Sequence, residues 1–197
     1  MAVSGEFTTA IVERTSLLTV HAGVVAIPGR GVLALPARSG AGKSTLTAAL
    51  VRRGFGYLSD EVLAISRADA TVSAFPRPIT LDANSLAVLG LPPTLRPSSS
   101  TEAVVSLSSL GALGQSGAQI DAVVLPSRVP GAEVSIEVIP AYVAVAALVE
   151  QSFNHYRHPE SSLRTIAAVA TRAATLRVTY GHAPAMAECL ARHFGLD

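Results

Sequence analysis

Lysine is almost absent from this chain: 197 residues contain one, Lys43, against fourteen arginines. A lone lysine kept among arginines marks a place where a compact ammonium is needed and the planar guanidinium fork will not serve. Charge of either sign is scarce, at 15% of residues, and fifteen Lys and Arg against fourteen Asp and Glu leave a net charge of +1. With no basic block and only 5% aromatics, broad electrostatic binding of nucleic acid is excluded. The single cysteine, Cys189, rules out an internal disulfide. At a helical spacing between Glu188 and Leu190 it reads as a core or half-buried thiol. Long hydrophobic runs are also missing, since none reaches the roughly eighteen apolar residues of a membrane span. The most apolar segment, Ile139 to Val149, is too short for that and predicts a buried helix. The opening "MAVSGEFTTAIVERTS" lacks the charged region and apolar run of a signal peptide. The expectation is a cytoplasmic protein with no membrane or nucleic-acid partner.

What is present is a hydrophobic content of 49%, ample for one core. Residues 7–13 and 17–27 are β-branched and apolar, "PGRG" at 28–31 is turn chemistry, and "VLALPA" is a further strand. From Lys43 the apolar spacing becomes helical (Leu46, Ala49, Leu50) until Gly54 stops it. "FGYLS", "VLAIS" and "TVSAF" predict strands, the last broken by "PRP" at 76–78, and "ANSLAVLG" predicts a short helix. Further strands are expected at "IDAVVLP", "EVSIEVI" and "TLRVTYG". Helices are expected at 141–151, 163–174 and 182–194. Residues 91–118, rich in Pro, Ser and Gly with one strand candidate at 103–107, predict a mobile segment or lid. Strands flank every helix, so the predicted fold is a single α/β domain over 1–197 with a mixed sheet.

Ala37 to Ser44, "ARSGAGKS", matches the phosphate-binding P-loop pattern G-x-x-x-x-G-K-[ST], with Ala37 at the first glycine position, where a positive φ would suit alanine poorly. Each part has its own chemistry. Gly40 and Gly42 let the backbone turn its N–H groups inward as an anion nest, and the helix that follows adds its positive end. Lys43 reaches the β- and γ-phosphates, and Ser44 offers a hydroxyl to Mg²⁺. The nucleotide-binding set is thus Arg38, Ser39, Gly40, Ala41, Gly42, Lys43, Ser44 and Thr45, for ATP or GTP. Arg38 either meets the phosphates or points to solvent. Chance produces so relaxed a pattern in roughly one or two such chains per hundred. The preceding apolar strand and following amphipathic helix make chance a weaker explanation still.

A kinase also needs a carboxylate for metal and a group to accept the acceptor's proton. Asp60 and Glu61 follow Lys43 by one helix and one strand, which returns them beside the loop if that strand neighbours the first. Asp121, at the start of its strand, reads as a surface or turn residue. His21, alone within "LLTVHAGVVAI", is either a hydrogen-bonded core residue or a catalytic one. Arg77, in the stiff "PRP", is aimed at a phosphate or solvated on a loop, and Arg128 stands at another strand end with the same two readings. "QSFNHYRHP" at 151–159 is an acceptor-binding or purely structural loop.

Together, "HAGVVAIPGRGVLALPARSGAGKSTLTAALVRRGFGYLSDE" resembles the catalytic core of the HPr serine kinase family, and more closely its smaller bacterial relatives. The shared features are His21, the loop lysine Lys43, the "RRG" that ends the helix, and the adjacent acidic pair. The resemblance is strong over 17–66, about a quarter of the chain, and looser at "FPRPITL" and "LRVTYG". It implies a core like the HPr kinase C-terminal domain and phosphoenolpyruvate carboxykinase. It further implies Mg²⁺-dependent transfer from ATP or GTP to a serine hydroxyl of a protein or peptide, such as a natural-product precursor. On that resemblance Asp60 is the general base, His21 its orienting partner, and Glu61 a metal-side carboxylate with Ser44 and Asp60. Glu61 stands where the parent family usually has Asp, and the parent's N-terminal domain and C-terminal docking signature are not found, which disfavours HPr itself as acceptor. With Lys43 and Arg77 these complete the expected catalytic set. Two alternatives stay open: a small-molecule hydroxyl kinase, and a nucleotide-binding regulatory module without transfer. The sequence leaves room for a homo-oligomer.

Overall fold

Alternating apolar residues dictate most of the architecture. A computed structural model describes residues 15–92 and 102–196. In chain order the elements are β1 (Leu18–Ala26), β2 (Val32–Pro36), α1 (Lys43–Arg52), β3 (Gly56–Ser59), β4 (Val62–Ile65), β5 (Val72–Ser73), β6 (Ile79–Asp82), α2 (Ala83–Leu89) and β7 (Glu102–Val105). They continue with β8 (Ile120–Arg128), β9 (Ser135–Val138), α3 (Ala141–Glu150), α4 (Pro159–Arg172), β10 (Ala174–Tyr180) and α5 (Ala183–His193). Eight strands form one mixed sheet ordered β5-β4-β1-β2-β8-β10-β9, with β3 also paired to β1. β2, β8 and β10 run parallel, and the other pairings are antiparallel.

Both faces of this sheet are covered. Along β2, Leu33 and Leu35 face one core and Val32 and Ala34 the other, as a period of two requires. The first core is closed by α1, α5, α2 and the two-stranded β6–β7 ribbon, the second by α3 and α4. α1 is buried along Leu46–Val51 because the sheet lies on one side of it and α5 with the ribbon on the other. Gly23 makes that close approach possible: a Cβ there would fall 2.2 Å from Thr47 Oγ1 on α1.

Several elements depart from the sequence expectations. α3, expected to be buried, buries only Ala144 and Leu148, and Tyr142 is 73% exposed. It is an outer-layer helix that presents one stripe to the sheet, so its apolar composition exceeds what one stripe can bury. α4 starts four residues earlier than expected, at Pro159, whose missing N–H costs nothing in a first turn. α3 is followed by α4 across the loop at 151–158, which holds no named strand, so strands do not flank every helix. The expected "TVSAF" strand pairs only at Val72–Ser73, whereas Ile79–Asp82, unassigned from the sequence, pairs with β7. The expected strand at 7–13 lies outside the described residues.

Of the segment expected to be mobile, residues 93–101 also lie outside the described residues. The rest is tied to the sheet: Tyr57 N donates to Ala112 O at 2.9 Å, and Gly114 N donates to Tyr57 O at 2.8 Å. No helix among the described residues is long and apolar enough to cross a membrane.

The topology gathers one edge of the sheet into a site. The carboxyl ends of parallel β2, β8 and β10 deliver the glycine-rich loop, Arg128 and Tyr180 to it, the location where open α/β sheets bind ligands. β1 is antiparallel to β2, so its opening residues, including His21, come to the same edge.

Candidate functional site

The loop between β2 and α1 takes its shape from two glycines. Gly40 and Gly42 have φ of 81° and 84°, a region L side chains avoid, whereas Ala37 does not have a positive φ. Alanine at the pattern's first glycine position is therefore unstrained. Gly42 is the N-cap of α1 and offers no side chain, so the first-turn N–H groups are left for an outside acceptor.

Lys43 is buried, and its Nζ donates to the carbonyls of Ala37 at 2.7 Å and Arg38 at 2.8 Å. Burial pushes its pKa down to about 8 against the opposing pull of Asp60 and Glu61. Ser44 Oγ donates to Asp60 Oδ2 at 3.2 Å.

Asp60 and Glu61 interrupt what would otherwise be one long strand. β3 pairs with the second half of β1 and β4 with its first half, and the two acidic residues sit at the break. Ser59 holds it open: its Oγ accepts from Glu61 N at 3.2 Å and Val62 N at 3.0 Å. The interruption re-aims Asp60 off the ladder toward α1, as bulges near sites commonly do. Asp60 is 4% exposed, and its Oδ1 accepts from Arg77 Nε at 3.3 Å and the Tyr57 hydroxyl at 3.1 Å. Arg77 also pairs with Glu61 and is half-buried, which removes the reading of a solvated loop arginine. Tyr57 OH lies 2.9 Å from the Arg77 carbonyl as well, and burial followed by the Asp60 charge pushes its pKa well above the tyrosine range. It is a fixed proton donor.

His21 pairs with Val62 across the ladder, and its backbone N–H donates to Gln151 O at 2.8 Å. Burial, then the charges of Lys43 and Arg77, push its pKa down to about 4. It is neutral at pH 7, with its ring centroid 5.7 Å from that of Phe153. Its side chain makes no hydrogen bond to Asp60, whose oxygens are engaged by Ser44, Tyr57 and Arg77.

Arg38 pairs with Glu150 of α3 at the protein surface, while Ser39 and Gly40 are exposed and Ala41 half-buried. Thr45 Oγ1 lies 2.7 Å from Ser85 Oγ. The 151–159 loop has a structural role: Asn154 is buried, accepts from Thr19 N at 3.0 Å and donates to Leu17 O at 3.0 Å. No group of three or more His, Cys, Asp or Glu that could hold a metal occurs among the described residues. A Mg²⁺ ion needs no such cage, since it takes one or two protein oxygens plus phosphate and water. Ser44, Asp60 and Glu61 supply a hard, all-oxygen set that fits it.

Sequence reasoning missed Tyr57, Ser85 and Tyr180. Tyr57 precedes Asp60 by three residues in a run read only as strand, and Ser85 lies on the expected short helix α2, which the unexpected strand β6 leads into. No protein-family model matches the chain, and no curated protein matches it significantly.

Proposed function

We propose that this protein is a Mg²⁺-dependent kinase that binds ATP or GTP at residues 38–45 and transfers the γ-phosphate to a serine hydroxyl of a peptide or protein. The observation that carries this reading is the chain of contacts from the loop carbonyls through Lys43 and from Ser44 to the buried Asp60, at the uncapped start of a helix. The resemblance over 17–66 to the HPr serine kinase family and its phosphoenolpyruvate-carboxykinase-like core supports it independently.

Lys43 would exchange the Ala37 and Arg38 carbonyls for β- and γ-phosphate oxygens, which it meets as a point charge. Ser44, Asp60 and Glu61 would hold Mg²⁺, which when bound neutralises charge on the phosphates and polarises the γ-phosphoryl group. Arg77, now neutralising both carboxylates, swings toward the transferring group as phosphate charge arrives. Asp60 Oδ1, still held by the Tyr57 hydroxyl, then has the lone pair that Arg77 occupied to offer the acceptor proton. The acceptor oxygen forms its bond to the γ-phosphorus, the bond from that phosphorus to the β-bridging oxygen breaks, and the electron pair leaves with the nucleoside diphosphate. His21, neutral and half-buried, borders this cluster.

The test is transfer from γ-labelled ATP with Mg²⁺ into a fractionated extract. Asp60→Asn should retain nucleotide binding and lose at least about 10²-fold in transfer, the lower end for general-base catalysis. Transfer undiminished in Asp60→Asn would reject the assignment. Label in a small molecule would keep the chemistry and change the acceptor class. A second reading, a nucleotide-binding regulatory module, is favoured by one observation: both Asp60 oxygens are already engaged. Tight Mg-ATP binding without transfer to any fraction would support it.

A further inference from the structure

Beside the loop lies a hollow lined in part by Gly42, Thr45, Asn84, Ser85, Arg128 and Tyr180. It is far smaller than a whole small-molecule site, so it has room for one part of a nucleotide at most. Tyr180 is fully buried, yet its hydroxyl has no hydrogen-bond partner. Such a group is costly to keep and calls for an explanation. The hydroxyl sits against the loop, 3.2 Å from where a Cβ on Gly42 would stand, with Arg128 Cδ 3.5 Å from the same point. Arg128 is the one charged residue of the lining, its side chain makes no hydrogen bond or salt bridge among the described residues, and the carboxylate its charge reaches is Asp82.

The direction of a bound triphosphate follows from α1. Ser44 and Thr45 are consecutive, so they point about 100° apart around the helix. Ser44 meets Asp60, and Thr45 meets Ser85 at the hollow. A triphosphate whose transferable end lies by Ser44 and Asp60 reaches this hollow if its other end passes Thr45. The walls it reaches there carry hydroxyl and amide groups, which suit sugar hydroxyls, with a cation at the rim where the α-phosphate joins the sugar.

Resting on the nucleotide-binding reading, we propose that this hollow is the ribose subsite, with the unpartnered Tyr180 hydroxyl as its buried anchor and Asn84 as a second polar contact. Tyr180→Phe keeps the ring and removes only an atom that nothing satisfies. The ligand-free variant should therefore melt at the wild-type temperature or above it, and a binding defect would not be a folding defect. Titration calorimetry with Mg-ATP and with Mg-tripolyphosphate, which has the phosphates but no sugar, reads the proposal. In Tyr180→Phe and in Asn84→Ala, ATP affinity should fall about 3- to 10-fold, the worth of one hydrogen bond, with tripolyphosphate affinity unchanged. Unchanged ATP affinity in both variants, or equal losses for both ligands, would overturn the subsite. Lys43→Ala serves as the control for the parent reading and should weaken both ligands. If the wild type binds tripolyphosphate as tightly as ATP, the phosphate half of that reading stands and the ribose subsite fails. If it binds neither, both fail.

Discussion

Lys43 shows why one lysine survives in a chain that otherwise uses arginine. Its ammonium is held by two carbonyls of the loop it closes, in a space whose burial lowers its pKa to about 8. A carbonyl pair is a weak partner for a cation, and a polyphosphate is a strong one, so binding should raise that pKa. At pH 8 the free side chain is about half protonated and the bound one fully so; binding of Mg-ATP should take up about half a proton there, falling toward zero near pH 6.5. Calorimetry in two buffers of different ionisation enthalpy measures this number directly. No uptake at pH 8, or the same uptake in Lys43→Ala, would separate Lys43 from the phosphates. The role of Gly42 was legible as sequence at this scale, because φ of 84° and an uncapped helix start are what a glycine before a lysine predicts. Tyr57 and Tyr180 were not, since a tyrosine in an apolar strand looks the same whether its hydroxyl meets solvent, a carboxylate or nothing.

Among the elements, the decisive fit is between β1 and α1, because it sets how far the loop lysine stands from His21 and the acidic pair. Gly23 permits that fit: an alanine Cβ would stand 2.2 Å from Thr47 Oγ1, and the stiff, β-branched Thr47 has no room to turn away inside the core. Gly23→Ala should cost about 1–3 kcal/mol by overpacking. Thr47→Ala should cost less, since the Thr47 hydroxyl has no hydrogen-bond partner, and combined with Gly23→Ala it should recover most of the lost stability. Urea midpoints of the two single variants and the double variant test this, and additive losses would show that the two residues do not collide. Long periodic segments such as α1, β8 and β10 were readable because burial on one or both faces dictates their pattern. β6 was hidden by the prolines before it, and the depth of α3 was misjudged because composition does not say how many neighbours a helix has.

At the scale of the whole molecule, the site joins pieces that are distant in sequence. β2 and α1 bring the loop, the β3–β4 break brings Asp60, α2 brings Ser85, and β8 and β10 bring Arg128 and Tyr180. A ligand bound across them exists only for the folded chain, so its free energy adds to global stability. At a concentration one hundred times its dissociation constant, Mg-ATP should contribute about 2.7 kcal/mol. For a chain of this size each kcal/mol is worth about 2–4 °C, so the melting temperature should rise by roughly 5–11 °C. Lys43→Ala should abolish the rise, whereas Asp60→Asn should keep most of it. These two variants divide the functional readings when thermal shift and phosphate transfer are measured on the same samples. A shift that survives in Asp60→Asn while transfer disappears describes a kinase in which Asp60 matters more to the chemistry than to nucleotide binding. A shift in the wild type with no transfer to any acceptor describes a nucleotide-responsive module, in which the paired Asp60 and Arg77 serve to hold the fold. No shift at all would mean that the glycine-rich loop does not bind nucleotide, and the uncapped start of α1 would then need another anion.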